Sequence, residues 1–421
     1  MVTRIVDSKG IMTKVSGYPS PDEFRLQCRT WLEANARPRA LNGRTKSAWG
    51  AGSDAVALFH NLSIEQERSL LDDARRWQQL KADAGFASIT WEPEYGGLDL
   101  PGSYDKIYRS EETRFVVPSN HELMEISCGL ASATIRTHGT PEQRSTFVRA
   151  LRRADIMMCQ MFSEPEAGSD LASLATRAIR DGNDWLLSGQ KVWTSGAQHA
   201  DWGYVLARTG SPSERHRGIT AFLIAMDSPG VEVRPLRQMS GGSSFNEIFL
   251  DKVRVPDTRR LGAIGEGWRV ARTTLGLERG TGATKRVGAG WERVLGLARH
   301  IGVDDDPIAR QHLARVYTSM QLLRYTNQRI AASVRAGQSP GPEASILKLA
   351  WVEQLQLVSA TATHLLGLRL IADTGEWGTY SWSEHVTGTP GYRIAGGADE
   401  IQRNIIGERV LGLPIEPFHQ S

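Results

Sequence analysis

Cysteine is scarce in this 421-residue chain: Cys28, Cys128 and Cys159 stand far apart, with no C-x-x-C spacing. An odd, scattered set argues against a disulfide framework and a thiolate metal site, so no metal is expected. It suits a reducing cytoplasm. Neither sign of charge dominates: Lys+Arg number 50 and Asp+Glu 47, a net charge of +3. There is no basic stripe to track a nucleic-acid backbone. No long run is apolar enough to span a bilayer. The most apolar stretch, 346–371, is interrupted by Lys348, Glu353, Gln354, His364 and Arg369. Met1 to Gly17 carries no apolar targeting core, and Asn61-Leu62-Ser63, a sequon on paper, is read as chance. G-x-G-x-x-G is missing, which argues against a Rossmann domain. A soluble, cytoplasmic protein is expected.

What is present is ordinary globular material, 40% hydrophobic and 23% charged, at a length that allows about three domains. Three textures follow one another. From Pro21 to about Arg153 the pattern is helical, with Leu70, Leu71, Ala74, Trp77 and Leu80 recurring at helical spacing. From Met157 to Pro256 short β-rich runs alternate with Gly/Ser/Pro links: 185–187, 191–193, 204–206, 219–225, 231–233 and 248–255. Helical patterns then return over 270–279, 289–301, 308–336, 344–368 and 401–411. The expected fold class is therefore α+β multidomain. It comprises an N-terminal helical domain (1–155), a middle β-barrel (156–260) and a C-terminal antiparallel helix bundle (261–421).

Gly337-Gln338-Ser339-Pro340-Gly341 matches G-x-S-x-G, but a nucleophile elbow needs a strand before its serine. Here a helical run precedes it, and the string reads as a helix–helix loop. Gln160-Met161-Phe162-Ser163-Glu164-Pro165-Glu166-Ala167-Gly168-Ser169-Asp170 is richer. Its hydroxyls and backbone N–H groups could cradle a flat cofactor or a phosphate, or merely cap a turn. In Lys191-Val192-Trp193-Thr194-Ser195-Gly196 an indole beside two hydroxyls could stack on a ring system and bond its edge, or simply rim a barrel.

In this order, these strings closely resemble the acyl-CoA dehydrogenase family. So do the Trp91 to Gly97 loop, His138-Gly139-Thr140-Pro141-Glu142-Gln143, Asp251 to Pro256 with Gly265-Glu266-Gly267-Trp268, and Ile401 to Arg409. The resemblance implies FAD. Gln160, Phe162, Ser163, Ser169, Trp193, Thr194 and Ser195 would bind it, with Ser163 at the flavin edge and Ser169 near the phosphates and the entering thioester. It implies removal of hydrogen in two pieces, an α-proton and a β-hydride, giving a trans-2-enoyl-CoA. It also implies an acyl-CoA substrate, an electron-transfer flavoprotein as acceptor, and a place in fatty acid or lipid breakdown.

In many members the base is a glutamate just before the terminal helix. Aligning Ile401-Gln402 puts Gly396 there, so the usual base is absent. A second family location, on the first long helix of the C-terminal domain, resembles Leu275-Gly276-Leu277-Glu278-Arg279. Glu278 is the expected catalytic base, with Ser169, Arg279 and Gly396 on the substrate. Asp399 and Glu400, the competing carboxylates, read as turn and helix-start groups.

Two cross-subunit strings of homotetrameric members are altered here, to Arg299-His300-Ile301-Gly302 and His364-Leu365-Leu366-Gly367-Leu368. Such departures resemble actinobacterial members of lipid and sterol side-chain breakdown, some of which pair unlike subunits. A homo-oligomer (dimer or tetramer) or a hetero-oligomer with a related subunit is expected. The alternatives are a low-activity or inactive subunit of such a hetero-oligomer, and an acyl-CoA oxidase or flavin monooxygenase relative.

Overall fold

A computed structural model describes residues 2–6, 12–39, 56, 58–59, 61–282, 290–336, 341–372 and 379–415, which form two compact units. The first unit takes Met1–Arg44, Leu62–Leu236 and Ser243–Thr274; the second takes Thr45–Asn61, Arg237–Gly242 and Leu275–Ser421. Gly337 to Pro340 of the G-x-S-x-G string lie outside the described residues.

The first unit opens with a hairpin, β1 (Val2–Val6) and β2 (Met12–Ser16), followed by helix α1 (Pro21–Asn35). A short pair, β3 (Arg37–Pro38) and β4 (Phe115–Val116), frames α2 (Ile64–Asp83) and α3 (Gly102–Glu112) in the chain. Next come α4 (Glu122–Met124), a π-helical stretch over Glu125–Ala131, α5 (Ser132–His138) and α6 (Pro141–Arg153). Three of these helices start at capping boxes, Ser20 with Glu23, Ser63 with Gln66 and Thr140 with Gln143. Each box satisfies two backbone donors that the first turn leaves unpaired. Along α2 the expected stripe holds at Leu71, Ala74 and Trp77, whereas Leu80 is exposed and Glu67 is buried in its place.

The β-rich region is an eight-stranded sheet. Its strands are β5 (Met158–Met161), β6 (Arg177–Asp181), β7 (Asp184–Ser195), β8 (Trp202–Arg208), β9 (Ile219–Ala225), β10 (Val231–Leu236), β11 (Phe245–Pro256) and β12 (Arg260–Leu261). The order is β10-β11-β7-β6-β8-β9-β12, with β5 parallel to β8. The expected barrel is therefore not closed. One edge strand, β10, contains Pro235, which offers no N–H to a further neighbour, and the other, β12, is two residues long. The two halves meet at a single pair, Arg177↔Arg208, and enclose a core in which Trp185 lies 5.4 Å from Phe222. The two runs expected at 185–187 and 191–193 form one strand, β7.

The second unit is helical. Helix α7 (Gly267–Gly282) runs into it, followed by α8 (Trp291–His300), α9 (Pro307–Arg335), α10 (Ala344–Leu366), α11 (Thr379–Ile394) and α12 (Asp399–Ile405), which continues as a π-helical turn to Val410. Its core gathers Val56, Val294, Leu297, Val316, Val358 and Trp382. His385 is fully buried on α11; its Nδ1 lies 3.0 Å from Ser359 Oγ, which in turn lies 2.7 Å from Thr389 Oγ1. Burial pushes the imidazole down to about 4. Between pH 6.5 and 4 the unfolded chain therefore binds a proton that the folded chain refuses, so stability falls as pH falls through that window. Thermal melts at stepped pH should show a loss of about 3 kcal/mol from this group, and His385→Leu should flatten that part of the slope. Parallel curves for the two proteins would rule the assignment out.

Candidate active site

Two segments of the first unit carry the expected cofactor residues, and a buried ion pair ties them together. Lys191, on β7, has no exposed surface; its Nζ donates to Phe162 O (3.1 Å) and to Glu164 Oε1 (2.7 Å). Glu164 also accepts from the backbone N–H groups of Ala175 (2.6 Å) and Thr176 (3.0 Å). Val192 N–H donates to Ser163 O at 3.0 Å. Burial pushes the Lys191 ammonium down to about 8, against the pull of Glu164. Burial would raise the Glu164 carboxyl, but Lys191 and the amide donors hold it below its usual range.

Around this tie the expected residues divide. Ser163 and Ser195 are half-buried, and Ser169 is exposed in the turn beyond Glu164. Gln160 Oε1 accepts from Tyr204 Oη (2.7 Å), and the Phe162 ring packs in the core 5.3 Å from Tyr204. Phe162 thus offers backbone rather than ring to anything outside. Trp193 is 57% exposed at φ +59°, a left-handed backbone that a bulky residue holds only when its surroundings fix it. Next to it Thr194 is buried, and its Oγ1 has no hydrogen-bond partner among the described residues. An unpaired buried hydroxyl beside an exposed, strained indole fits a flat ligand with a hydrogen-bonding edge, and so fits a flavin.

In the second unit Glu278 is half-buried on α7. Gly396 faces it: a Cβ built at Gly396 lies 3.6 Å from Glu278 Oε1. Gly396 sits at φ +64°, a backbone that glycine adopts freely and a side-chain-bearing residue only under strain. The structure brings these two expected residues together; the side chain of Arg279 lies outside the described residues. Asp399 is engaged elsewhere, accepting from Lys348 Nζ (3.0 Å) and Arg393 Nε (2.9 Å).

Sequence reasoning passed over Glu67, His121, Lys191 and Glu164 as functional positions. A lone Glu or Lys in a polar string reads as solvated surface, and only its burial marks it.

Comparisons with known proteins agree across the chain. The acyl-CoA dehydrogenase N-terminal domain matches residues 59–155, the middle domain 159–253 and the C-terminal domain 265–411. The acyl-CoA dehydrogenase IpdE1 of Mycobacterium tuberculosis is 36% identical over 401 residues, 94% of this chain and 98% of that protein. Among solved structures, the ChsE4–ChsE5 complex of Mycobacterium tuberculosis aligns at TM-score 0.69 and 25% identity, covering 96% of this chain and all of that one. A variant of the Tcur3481–Tcur3483 steroid ACAD aligns at 0.71 and 25%, covering 94% and 99%. No helix among the described residues is long and apolar enough to cross a membrane. The chain belongs to the acyl-CoA dehydrogenase family, flavoprotein oxidoreductases of fatty acid and lipid metabolism.

Proposed function

We propose that this chain oxidises an acyl-CoA thioester to its trans-2-enoyl-CoA, with Glu278 as the base that takes the α-proton. FAD, when bound, supplies the hydride acceptor for the β-carbon. Ser163, Thr194 and Ser195 hold its edge through their hydroxyls, Trp193 covers its ring, and Gln160, Phe162 and Ser169 complete the cradle, Phe162 through its backbone. Gly396 leaves space for the Glu278 carboxylate, and its N–H polarises the thioester oxygen as negative charge develops there. Arg279 orders the ligand around the base. The observation that carries the reading is the pairing of a glycine at φ +64° with a carboxylate oxygen 3.6 Å from its notional Cβ. A glutamate in its family place and a second one on α7 would crowd and repel; one base has replaced the other.

The test is an anaerobic titration of the purified protein with a panel of acyl-CoAs, followed by flavin bleaching. Bleaching with one class of thioester is expected. Bound flavin that no thioester bleaches would overturn the dehydrogenase reading in favour of an oxygen-using or non-catalytic relative. The panel includes sterol-type side chains, because a structural relative is named a steroid ACAD. Electrons would pass to an electron-transfer flavoprotein.

A second reading concerns assembly. One relative is a complex of two differently named subunits, ChsE4 and ChsE5. By the family resemblance, the altered string at 364–368 corresponds to one that meets a neighbour's cofactor in homotetrameric members. A hetero-oligomer with a related subunit predicts sub-stoichiometric FAD when this chain is expressed alone, and a full complement on co-expression. Stoichiometric FAD in the lone chain would dismiss it.

A further inference from the structure

A carboxylate outside the proposed site converges on it through other side chains. Glu67, on α2, is 5% exposed and collects three donors from distant parts of the first unit. His121 Nε2 lies 3.0 Å from its Oε1, while Gln198 Nε2 at 2.8 Å and His199 Nε2 at 3.1 Å lie on Oε2. His121 Nδ1 accepts the N–H of Leu123 at 3.0 Å. A ring nitrogen that accepts carries no proton, so the Nε2–H of His121 points at Glu67. Burial alone would raise the carboxyl, but the hydrogen bonds from His121 and His199 hold it at about 2. The group is a buried anion at neutral pH, fastened by directional bonds.

Gln198 and His199 belong to the turn that ends β7, immediately after Trp193, Thr194 and Ser195. That turn is pinned from the other side as well. Gly196 N–H donates to Ser244 O (2.9 Å), Gln198 Nε2 also reaches Ser243 O (3.3 Å), and Ser195 pairs with Phe245. The pinning has a purpose. Trp193 at φ +59° and Gly196 at φ +62° place two left-handed residues within four positions. The tryptophan is strained there, because its Cβ crowds the neighbouring carbonyl oxygen. Such a backbone relaxes unless neighbouring contacts over-determine it.

We infer that Glu67 is a positioning residue for the flavin-facing segment: through Gln198 and His199 it fixes the strained end of β7 that presents Trp193, Thr194 and Ser195. The inference rests on the proposed flavin role of that segment. Two of the three donors on Glu67 come from the β7 turn, so the carboxylate acts on that turn directly.

The experiment uses the full chain carrying Glu67→Gln, with Gln198→Met as a milder variant that removes one arm and keeps the anion. Melting temperature, FAD dissociation constant, flavin absorption band shape and midpoint potential are measured for each. In Glu67→Gln the amide NH2 faces a donor that the carboxylate had accepted. FAD binding should weaken by about tenfold or more, the scale of one lost charge-assisted hydrogen bond. The band shape and potential should shift with it, and Gln198→Met should move the same readouts less. Should Glu67→Gln fail to fold, Gln198→Met decides alone. Lower melting temperatures with wild-type FAD affinity, spectrum and potential would overturn the inference and leave the flavin reading intact. A wild type that binds no flavin either alone or co-expressed with a related subunit would overturn both.

Discussion

Glu278→Gln should retain FAD yet lose bleaching by acyl-CoA, with the rate of flavin reduction falling by roughly 10²–10⁴-fold, the range for removal of a general base. Glutamine keeps the shape and cannot take a proton, so binding should survive while the chemical step does not. Among the described residues, neither carboxylate at the start of α12 is placed to substitute. Asp399 is buried and committed to Lys348 and Arg393, whose hydrogen bonds outweigh burial and hold it below its usual range. Glu400 is exposed, 3.7 Å from Arg403 within its own helix. Gly396→Ala is the control. Its Cβ would stand at ordinary contact distance from Glu278 Oε1, so bleaching should persist. The φ of +64° should still cost about 1–2 kcal/mol of stability. Stopped-flow reduction with one bleaching substrate separates the cases: undiminished reduction in Glu278→Gln would remove it as the base.

Lys191→Met should be strongly destabilising, at about 3–5 kcal/mol, the cost of leaving a buried charge unpaired. The lost ammonium strands Glu164 at 7% exposure with its two amide donors, and frees Phe162 O as well. Because that carbonyl and the Val192–Ser163 bond join the two cofactor segments, FAD retention should fall alongside stability. Adding Glu164→Gln to Lys191→Met removes the stranded charge and should recover part of the loss. Denaturant unfolding of the two singles and the double gives the coupling directly. A double variant no better than Lys191→Met would show that packing, not the ion pair, held the segments.

The sequence by itself determined the layers and the family. Apolar periodicity marked α2 and the C-terminal helices, β-rich runs marked the middle sheet, and Ser-Glu-Pro-Glu-Ala-Gly-Ser-Asp with Lys191 to Gly196 carried the resemblance. The glycine at position 396, where many family members carry the base, is the sequence feature behind the proposal of Glu278. Local patterns report these features because capping, periodicity and turn chemistry act over a few residues.

Other features depend on partners far away in the chain. Helix α11, which lies outside the helical patterns expected from the sequence, contains Gly388, Pro390 and Gly391, all poor helix formers; it persists because Trp382 and His385 are buried. The glycine at 391 also lets the Phe59 ring approach to 3.2 Å from where a Cβ would stand. The open edge of the sheet, the Lys191–Glu164 pair and the Glu67 cluster likewise follow from which strands and side chains meet. A charged residue becomes a buried, directed group only when its partner arrives from elsewhere in the chain, 27 residues away for Lys191 and Glu164, 132 for Glu67 and His199. Burial without a partner is costly, so the pairing, which tertiary structure alone decides, converts surface chemistry into architecture.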